Sequence, residues 1–301
     1  MKNKFNHISN NLPFKSIRSI EDKKVSTELD KIFKNFQQNN NKILNDKNIH
    51  NKFLKEYLKW IKSSKNNNLK NLSKFKFLNF SNGSSQIFDY FYSKYKNKRF
   101  RAFRGEYAYH YVSWRNNYKN WKYLDKKINI HKNDAVVISL PFSDSGSKHP
   151  LMEKLIRICN KKNIPVLVDC CHFAMCKGIN FNFNQKSIKE ISFSMSKCFP
   201  VSRLRIGMRL SKVDNDDPLF FLNKLGLVNK LSAYVGLQLI KKFKFDYIYN
   251  KYKNKQIFYC RKMKLKPSNV VAIATGDYNW KIYNRGGDWN RLCLSSLYEK
   301  K

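Results

Sequence analysis

An α/β protein, with a mostly parallel central sheet, flanking helices and a small C-terminal α+β domain, is the fold this sequence predicts. Three observations carry that reading. From residue 75 onward, short apolar runs alternate with segments of helical periodicity, the signature of strands joined by crossover helices. Polar residues able to do chemistry stand where such runs stop, Asp169 after Pro165-Val166-Leu167-Val168 and Lys197 just after Ile191-Ser192-Phe193-Ser194. The chain has 301 residues, 42% of them hydrophobic, which is enough to bury a full core.

In chain order, residues 1–72 are polar, with apolar residues at helical spacing in Leu29, Ile32, Phe33 and Phe36 and again in Phe53, Leu54, Tyr57, Leu58 and Ile61, so two amphipathic helices are expected. Strands are expected at 75–80, 135–140, 165–168, 191–194 and 205–210. Between the second and third, Ser147 is read as the cap of a crossover helix with Pro150 in its first turn and Leu151, Leu155, Ile156 and Ile158 on its apolar face. After Asp216-Asp217-Pro218 a helical stretch spans 219–240, interrupted by Gly226 and Gly236, and short strands follow at 270–274 and 291–297. The division expected is a helical segment over 1–72, a large α/β domain over 73–215, and a linking helix with a small domain over 216–301.

The formal net charge of +39 raises the question of nucleic acid. Lysine is spread along the whole chain together with asparagine, isoleucine, phenylalanine and tyrosine, as AT-rich codons would produce, and tracts such as 65–71 and 251–255 read as solvated loops or helix faces. No nucleic-acid motif accompanies them. No apolar run reaches membrane-spanning length, and residues 1–15 lack the apolar core of a secretory signal, so a soluble cytoplasmic protein is expected. The seven cysteines include no Cys-x-x-Cys pair, which fits reduced thiols. Adjacent Cys170 and Cys171 do not match the spacing of zinc ligands, and no metal is expected.

The candidate chemistry lies at strand ends, where open α/β sheets bind ligands. Asn82-Gly83-Ser84-Ser85-Gln86 joins a strand to a helix and offers free backbone N–H groups to an anion, although an ordinary turn would look the same. Asp169 closes a buried strand, and a carboxylate there is costly without a partner; a cap or an ion pair would also provide one. Ser194-Met195-Ser196-Lys197 and the following Arg205-Ile206-Gly207 place a lysine, two hydroxyls and an arginine around one turn between apolar strands.

This last segment resembles the Schiff-base segment of the class I and II aminotransferases, enzymes of the pyridoxal-phosphate transferase fold type I. The resemblance implies pyridoxal 5'-phosphate as cofactor, with Lys197 forming the aldimine, Asp169 on the pyridine nitrogen, and Ser194, Ser196 and Arg205 with Gly83, Ser84 and Ser85 around the phosphate. It implies a stacking tyrosine in Arg104-Gly105-Glu106-Tyr107-Ala108-Tyr109-His110-Tyr111; Tyr107 is chosen, within a register of two residues, and the tyrosines could equally line a strand face. Ser143 stands where the family usually has the asparagine facing the cofactor's phenolic oxygen, and His172 where many members have tyrosine, unless the backbone satisfies that histidine in the core. Arg291, in Asn290-Arg291-Leu292, matches the arginine that binds the substrate carboxylate, though a lone arginine opening a strand is more often surface decoration.

The function implied is transfer of an amino group from an amino acid or amine to a 2-oxo acid, in a homodimer. Decarboxylation or elimination on the same fold, or a degenerate relative using a basic surface, are the alternatives.

Overall fold

The computed structural model describes residues 14–118 and 120–298. The chain opens with α1 (Lys23–Asn45) and α2 (Ile49–Lys62), then β1 (Asn68–Lys70), β2 (Phe77–Asn82), α3 (Gly83–Lys94), β3 (Arg99–Phe103), α4 (Ala108–Asn117), β4 (Trp121–Leu124) and β5 (Asp134–Ser139). It continues through α5 (Met152–Lys162), β6 (Val166–Asp169), β7 (Asn180–Asn182), β8 (Ile188–Ser194) and β9 (Ile206–Ser211). The C-terminal part holds α6 (Pro218–Lys224), α7 (Lys230–Lys242), α8 (Tyr247–Lys262), β10 (Lys266–Pro267), β11 (Ile273–Gly276), β12 (Asn290–Cys293) and α9 (Ser295–Tyr298).

Seven strands form the central sheet in the order β2-β9-β8-β6-β5-β3-β4. Strands β4, β3, β5, β6 and β8 are mutually parallel, and β9 pairs antiparallel with both β8 and β2. Only β9 therefore runs against the others, so the expected mostly parallel sheet is the one observed. Strands β5 and β6 are buried on both faces, as crossover helices require. A second, three-stranded antiparallel sheet of β10, β11 and β12 carries the C-terminal part.

The N-terminal helices form where helical spacing places them, and both pack on α7. Asp22 caps α1 by accepting the Val25 amide at 3.0 Å, and the same buried carboxylate pairs with Lys251 at 2.5 Å and accepts the Tyr252 hydroxyl at 2.8 Å. One residue thus terminates a helix and pins it to α8. At the other end of the linking region, Pro218 opens α6 and Asp217 caps it by accepting the Phe220 amide at 2.9 Å.

Several expected details change. Ser147 does not cap α5; the turn ahead of it is closed by His149, whose Nδ1 accepts the Leu151 amide at 3.1 Å, and the helix starts at Met152 without a side-chain cap. The stretch 219–240 is two helices, broken at Gly226, whose φ of +69° is left-handed. Gly236 interrupts nothing: it lies inside α7, where an added Cβ would sit 2.6 Å from the Phe53 ring. The strand expected at 291–297 stops at Cys293, and the tyrosines of 107–111 belong to the start of a helix rather than to a strand. Strands β3 and β4 and helix α8 lie outside the expected elements, because aromatic and basic residues interrupt their apolar pattern. Among the described residues no helix is long and apolar enough to cross a membrane.

The sheet also buries charge. Arg209, on β9 and with its side chain fully buried, gives NH2 to Asp217 Oδ1 at 2.9 Å and to Asn79 Oδ1 at 2.8 Å, while NH1 meets the other Asp217 oxygen. Removing one partner strands the other charge in a low dielectric. Asp217→Ala is therefore expected to cost about 3 kcal/mol of stability in urea unfolding, and a loss below about 1 kcal/mol would mean the pair is effectively solvated.

Candidate active site

The carboxyl ends of β2, β3, β5, β6 and β8 share one edge of the sheet, and β9, being reversed, begins there. That edge walls a cleft of about 380 Å³, within the range of small-molecule sites. Ser84, Ser85, Tyr107, Ser143, Asp169, His172, Ser194, Ser196, Lys197, Arg205 and Arg291, each singled out from the sequence, all line it. Gly83 alone of those candidates is not part of the lining, and it lies directly behind the Arg205 guanidinium.

The turn between β8 and β9 is built from close backbone approaches. Gly83 has φ +73°, and a Cβ on it would lie 2.4 Å from Arg205 NH2; a Cβ on Gly207 would lie 2.9 Å from the Gly83 Cα. Only glycine lets the two strand ends meet so closely. Arg205 then reaches Ser85 Oγ at 2.8 Å, while the buried Ser84 hydroxyl beside it has no partner. Ser194 Oγ donates to Ser196 Oγ at 2.9 Å and accepts the Ser196 amide at 3.2 Å. Guanidinium, hydroxyls and the amino end of the 12-residue α3 thus face one space, a donor set suited to a phosphate.

Across the cleft, Asp169 is buried, accepting the Ser192 hydroxyl at 2.7 Å and the Cys171 amide at 3.2 Å. Burial pushes its carboxyl above the usual range, and these hydrogen bonds and Lys197 oppose that rise. Lys197, half-buried, donates its amine to the Ile17 carbonyl at 2.8 Å, and burial lowers its pKa. His172 is held neutral first by burial and then by Lys197, Arg291 and Arg285. Its Nδ1 lies 3.6 Å from Cys171 Sγ, while Nε2 has no partner. The backbone does not satisfy this ring.

Tyr107 is 45% exposed, and its hydroxyl has no partner among the described residues. Its neighbours are committed to the fold: Tyr109 donates to Asp89 at 2.6 Å and Tyr111 to the Phe103 carbonyl at 2.5 Å. Arg291 is buried rather than decorating the surface. It gives NH1 to the Ser143 carbonyl at 2.9 Å and NH2 to the Lys15 carbonyl at 2.8 Å, and Nε is unpartnered.

Sequence reasoning missed part of the site. Residues 15–17 cross the cleft and occupy both Lys197 and Arg291 through backbone carbonyls, which carry no side-chain signal. Arg285 donates to the Glu106 carbonyl at 2.9 Å and lies 3.8 Å from Asp144. Asp144 is buried, with its pKa raised by burial to about 6. Glu106 is also buried; it accepts the Ser139 amide at 2.7 Å and is bonded to the Ser139 hydroxyl. Arg285-Gly286-Gly287 could have been read as a loop approaching other backbone closely, but nothing in the sequence assigns it to this cleft.

The orphaned hydroxyl, the buried carboxylate awaiting a cation and the partner-free histidine nitrogen fit a phosphorylated pyridine aldehyde bound between Arg205 and Asp169. A family model for aminotransferase class I and II matches residues 8–217. Comparison with curated proteins gives no match. Solved structures agree in fold across nearly the whole chain. A histidinol-phosphate aminotransferase from Clostridium acetobutylicum superposes with TM-score 0.63 at 13% identity, covering 95% of this chain and 96% of that one. An L-threonine-O-3-phosphate decarboxylase from Porphyromonas gingivalis gives 0.64 at 12%, covering 94% and 98%. The pyridoxal-phosphate-bound C-S lyase from Staphylococcus hominis, in complex with L-cycloserine, gives 0.66 at 12%, covering 95% and 85%. Fold and site together define a pyridoxal-phosphate enzyme of fold type I. The chain belongs to the class I and II aminotransferase family, and its cofactor is pyridoxal phosphate.

Burial pushes the Glu106 carboxyl from 4.5 up to about 8. The folded protein therefore keeps a proton that the unfolded chain releases, and stability falls as pH rises between those values. Glu106→Gln has no such proton to lose. In calorimetry of the cofactor-free protein, the melting temperature of the variant minus that of the parent should grow from pH 5 to pH 8; a difference independent of pH would refute the assignment.

Proposed function

We propose that this enzyme is an aminotransferase moving an amino group from an amino acid or amine to a 2-oxo acid. The observation that carries the reading is the meeting of Lys197, Asp169 and Arg205 in one cleft, from three different strand ends. Bound pyridoxal phosphate supplies an electron sink for negative charge at the substrate α carbon.

The chain's own residues do the rest. Arg205, Ser85, Ser84, Ser194 and Ser196, with the amino end of α3, hold the phosphate. Asp169 keeps the pyridine nitrogen protonated, and the ring satisfies a carboxylate whose burial is otherwise costly. Tyr107, whose hydroxyl has no partner among the described residues, would cover the ring face. His172 and Ser143 would serve the phenolic oxygen, His172 as a neutral imidazole able to donate from Nε2. Lys197, its amine made less basic by burial, would accept the proton from the substrate α carbon and deliver it to the carbon of the cofactor's aldehyde group. Arg291 binds the substrate α-carboxylate, which exchanges for the Lys15 carbonyl at NH2 and engages the free Nε.

A decarboxylase or lyase is the second reading, favoured by Ser143 in place of the family's asparagine, since a shorter donor changes how the ring is held. The homologous solved structures named above include both kinds of enzyme. Assembly as a homodimer in the cytoplasm, with small amino and oxo acids as its partners, completes the proposal; all seven cysteines are unpaired, which suits a reducing compartment.

Purified protein given pyridoxal phosphate should take on the near-visible absorption of the lysine-bound cofactor, and Lys197→Ala should lack it. Given an amino donor without acceptor, the enzyme should release one equivalent of 2-oxo acid and stop, resuming when an oxo acid is added. Continuous release of carbon dioxide, ammonia or thiol from the donor alone would replace transamination with the second reading.

A further inference from the structure

The wall of the cleft carries far more positive charge than the proposed reaction uses. Five arginines and two lysines line it against two carboxylates, Asp169 and Glu106. Lys197, Arg205 and Arg291 have tasks in the reaction, and Arg285 is held by the Glu106 carbonyl and faces Asp144. Lys15 takes part through its backbone carbonyl, and Arg104 and Arg115 remain. Arg104 follows β3, Arg115 sits in the last turn of α4, and both are exposed at the cleft.

The two converge on one feature. The Arg104 guanidinium stacks on the Tyr123 ring at 4.1 Å from its centre, and the Tyr123 ring lies 4.9 Å from that of Tyr111. Arg115, four residues after Tyr111 on α4, donates its Nε to the Tyr111 backbone carbonyl at 3.3 Å. Burial raises the Tyr123 hydroxyl's pKa, and the positive charges of Arg104 and Arg115 both oppose that rise. Neither arginine forms an ion pair among the described residues, and the Arg104 side chain makes no hydrogen bond there. A guanidinium stacked face-on to a ring keeps its in-plane N–H donors free, and it is oriented by the ring for bidentate binding of an anion. Two like charges that line one cleft without an ion-pair partner among the described residues are stabilised by an anion bound between them.

We propose that Arg104 and Arg115 form a second anion subsite, so that the substrate is an amino acid or amine carrying a distal anionic group, a carboxylate or a phosphoryl group, in addition to the one bound at Arg291. The inference rests on the reading of this cleft as the cofactor and substrate site. The distal anion lies against the Tyr111 and Tyr123 rings, and the uncharged middle of the substrate spans the space in front of Tyr107.

Unreactive analogues without an amino group test the subsite by equilibrium binding. The cofactor-loaded protein is titrated calorimetrically with butyrate, glutarate and 3-phosphonopropionate. At least one of the two doubly anionic compounds should bind about tenfold or more tightly than butyrate, and whichever gains more identifies the distal group as carboxylate or phosphoryl. The double variant Arg104→Gln, Arg115→Gln should bring all three within about twofold while leaving cofactor absorption and butyrate affinity unchanged. Butyrate binding as tightly as both dianions, or a dianion preference that survives in the double variant, would overturn the subsite. Failure of the parent protein to take up pyridoxal phosphate is a separate result, and it would count against the underlying reading of the cleft.

Discussion

Everything at the active site depends on one reversal of chain direction. Parallel strands deliver their carboxyl ends to a single edge, which by itself would give the cleft Asp169 and Lys197 but no return of the chain to it. Strand β9 runs back from that edge, so Arg205 at its start stands beside the end of β8, with Ser194 paired to Gly207. On the other side β9 pairs Ser81 with the same Gly207 and brings the Gly83 turn against Arg205. A Cβ on Gly207 would press on the Gly83 backbone, and one on Gly83 would displace the Arg205 guanidinium. The phosphate-binding set therefore exists because two backbones without Cβ atoms can touch.

Around that junction the fold distributes charge by burial. Asp169, Glu106 and Asp144 are all buried, yet their partners differ. Asp169 receives hydrogen bonds that favour its anion and faces the lysine amine; Glu106 is held by Ser139 and raised toward neutrality; Asp144 sits between Gly105 and Gly287 and faces Arg285. Burial raises the pKa of all three, and the different partners oppose that rise in each case. The N-terminal segment takes part as well, since the carbonyls of Lys15 and Ile17 occupy the donors of Arg291 and Lys197, the same donors that a substrate would use.

The net charge of +39 takes on a different meaning at this scale. Spread over the surface, lysine says little about partners. Inside the cleft the cations are mainly arginines, whose planar, multiply donating groups suit carboxylate and phosphate, and the tyrosine rings beside them hold those groups in place. The local choice of arginine over lysine is informative where the total charge is not.

By itself the sequence determined what depends on local periodicity and on segments contiguous in the chain. The amphipathic helices α1 and α2, the buried strands β5 and β6, and the run from Ser194 to Gly207 are legible because their apolar spacing, or their lysine, hydroxyls and arginine, lie within a few residues of one another. Tertiary structure alone decided which distant residues face the same space. Arg285, Glu106 and the carbonyls of Lys15 and Ile17 join the site through chain crossings that no spacing encodes. The turn ahead of α5 is closed by His149, not by the expected cap at Ser147. Strands β3 and β4 alternate basic with aromatic or aliphatic residues over only five and four positions, too short a run to stand out from the lysine- and tyrosine-rich sequence around them. A short motif fixes the kind of chemistry because its atoms are bonded near one another, whereas the substrate pocket is assembled from side chains and carbonyls that only packing brings together.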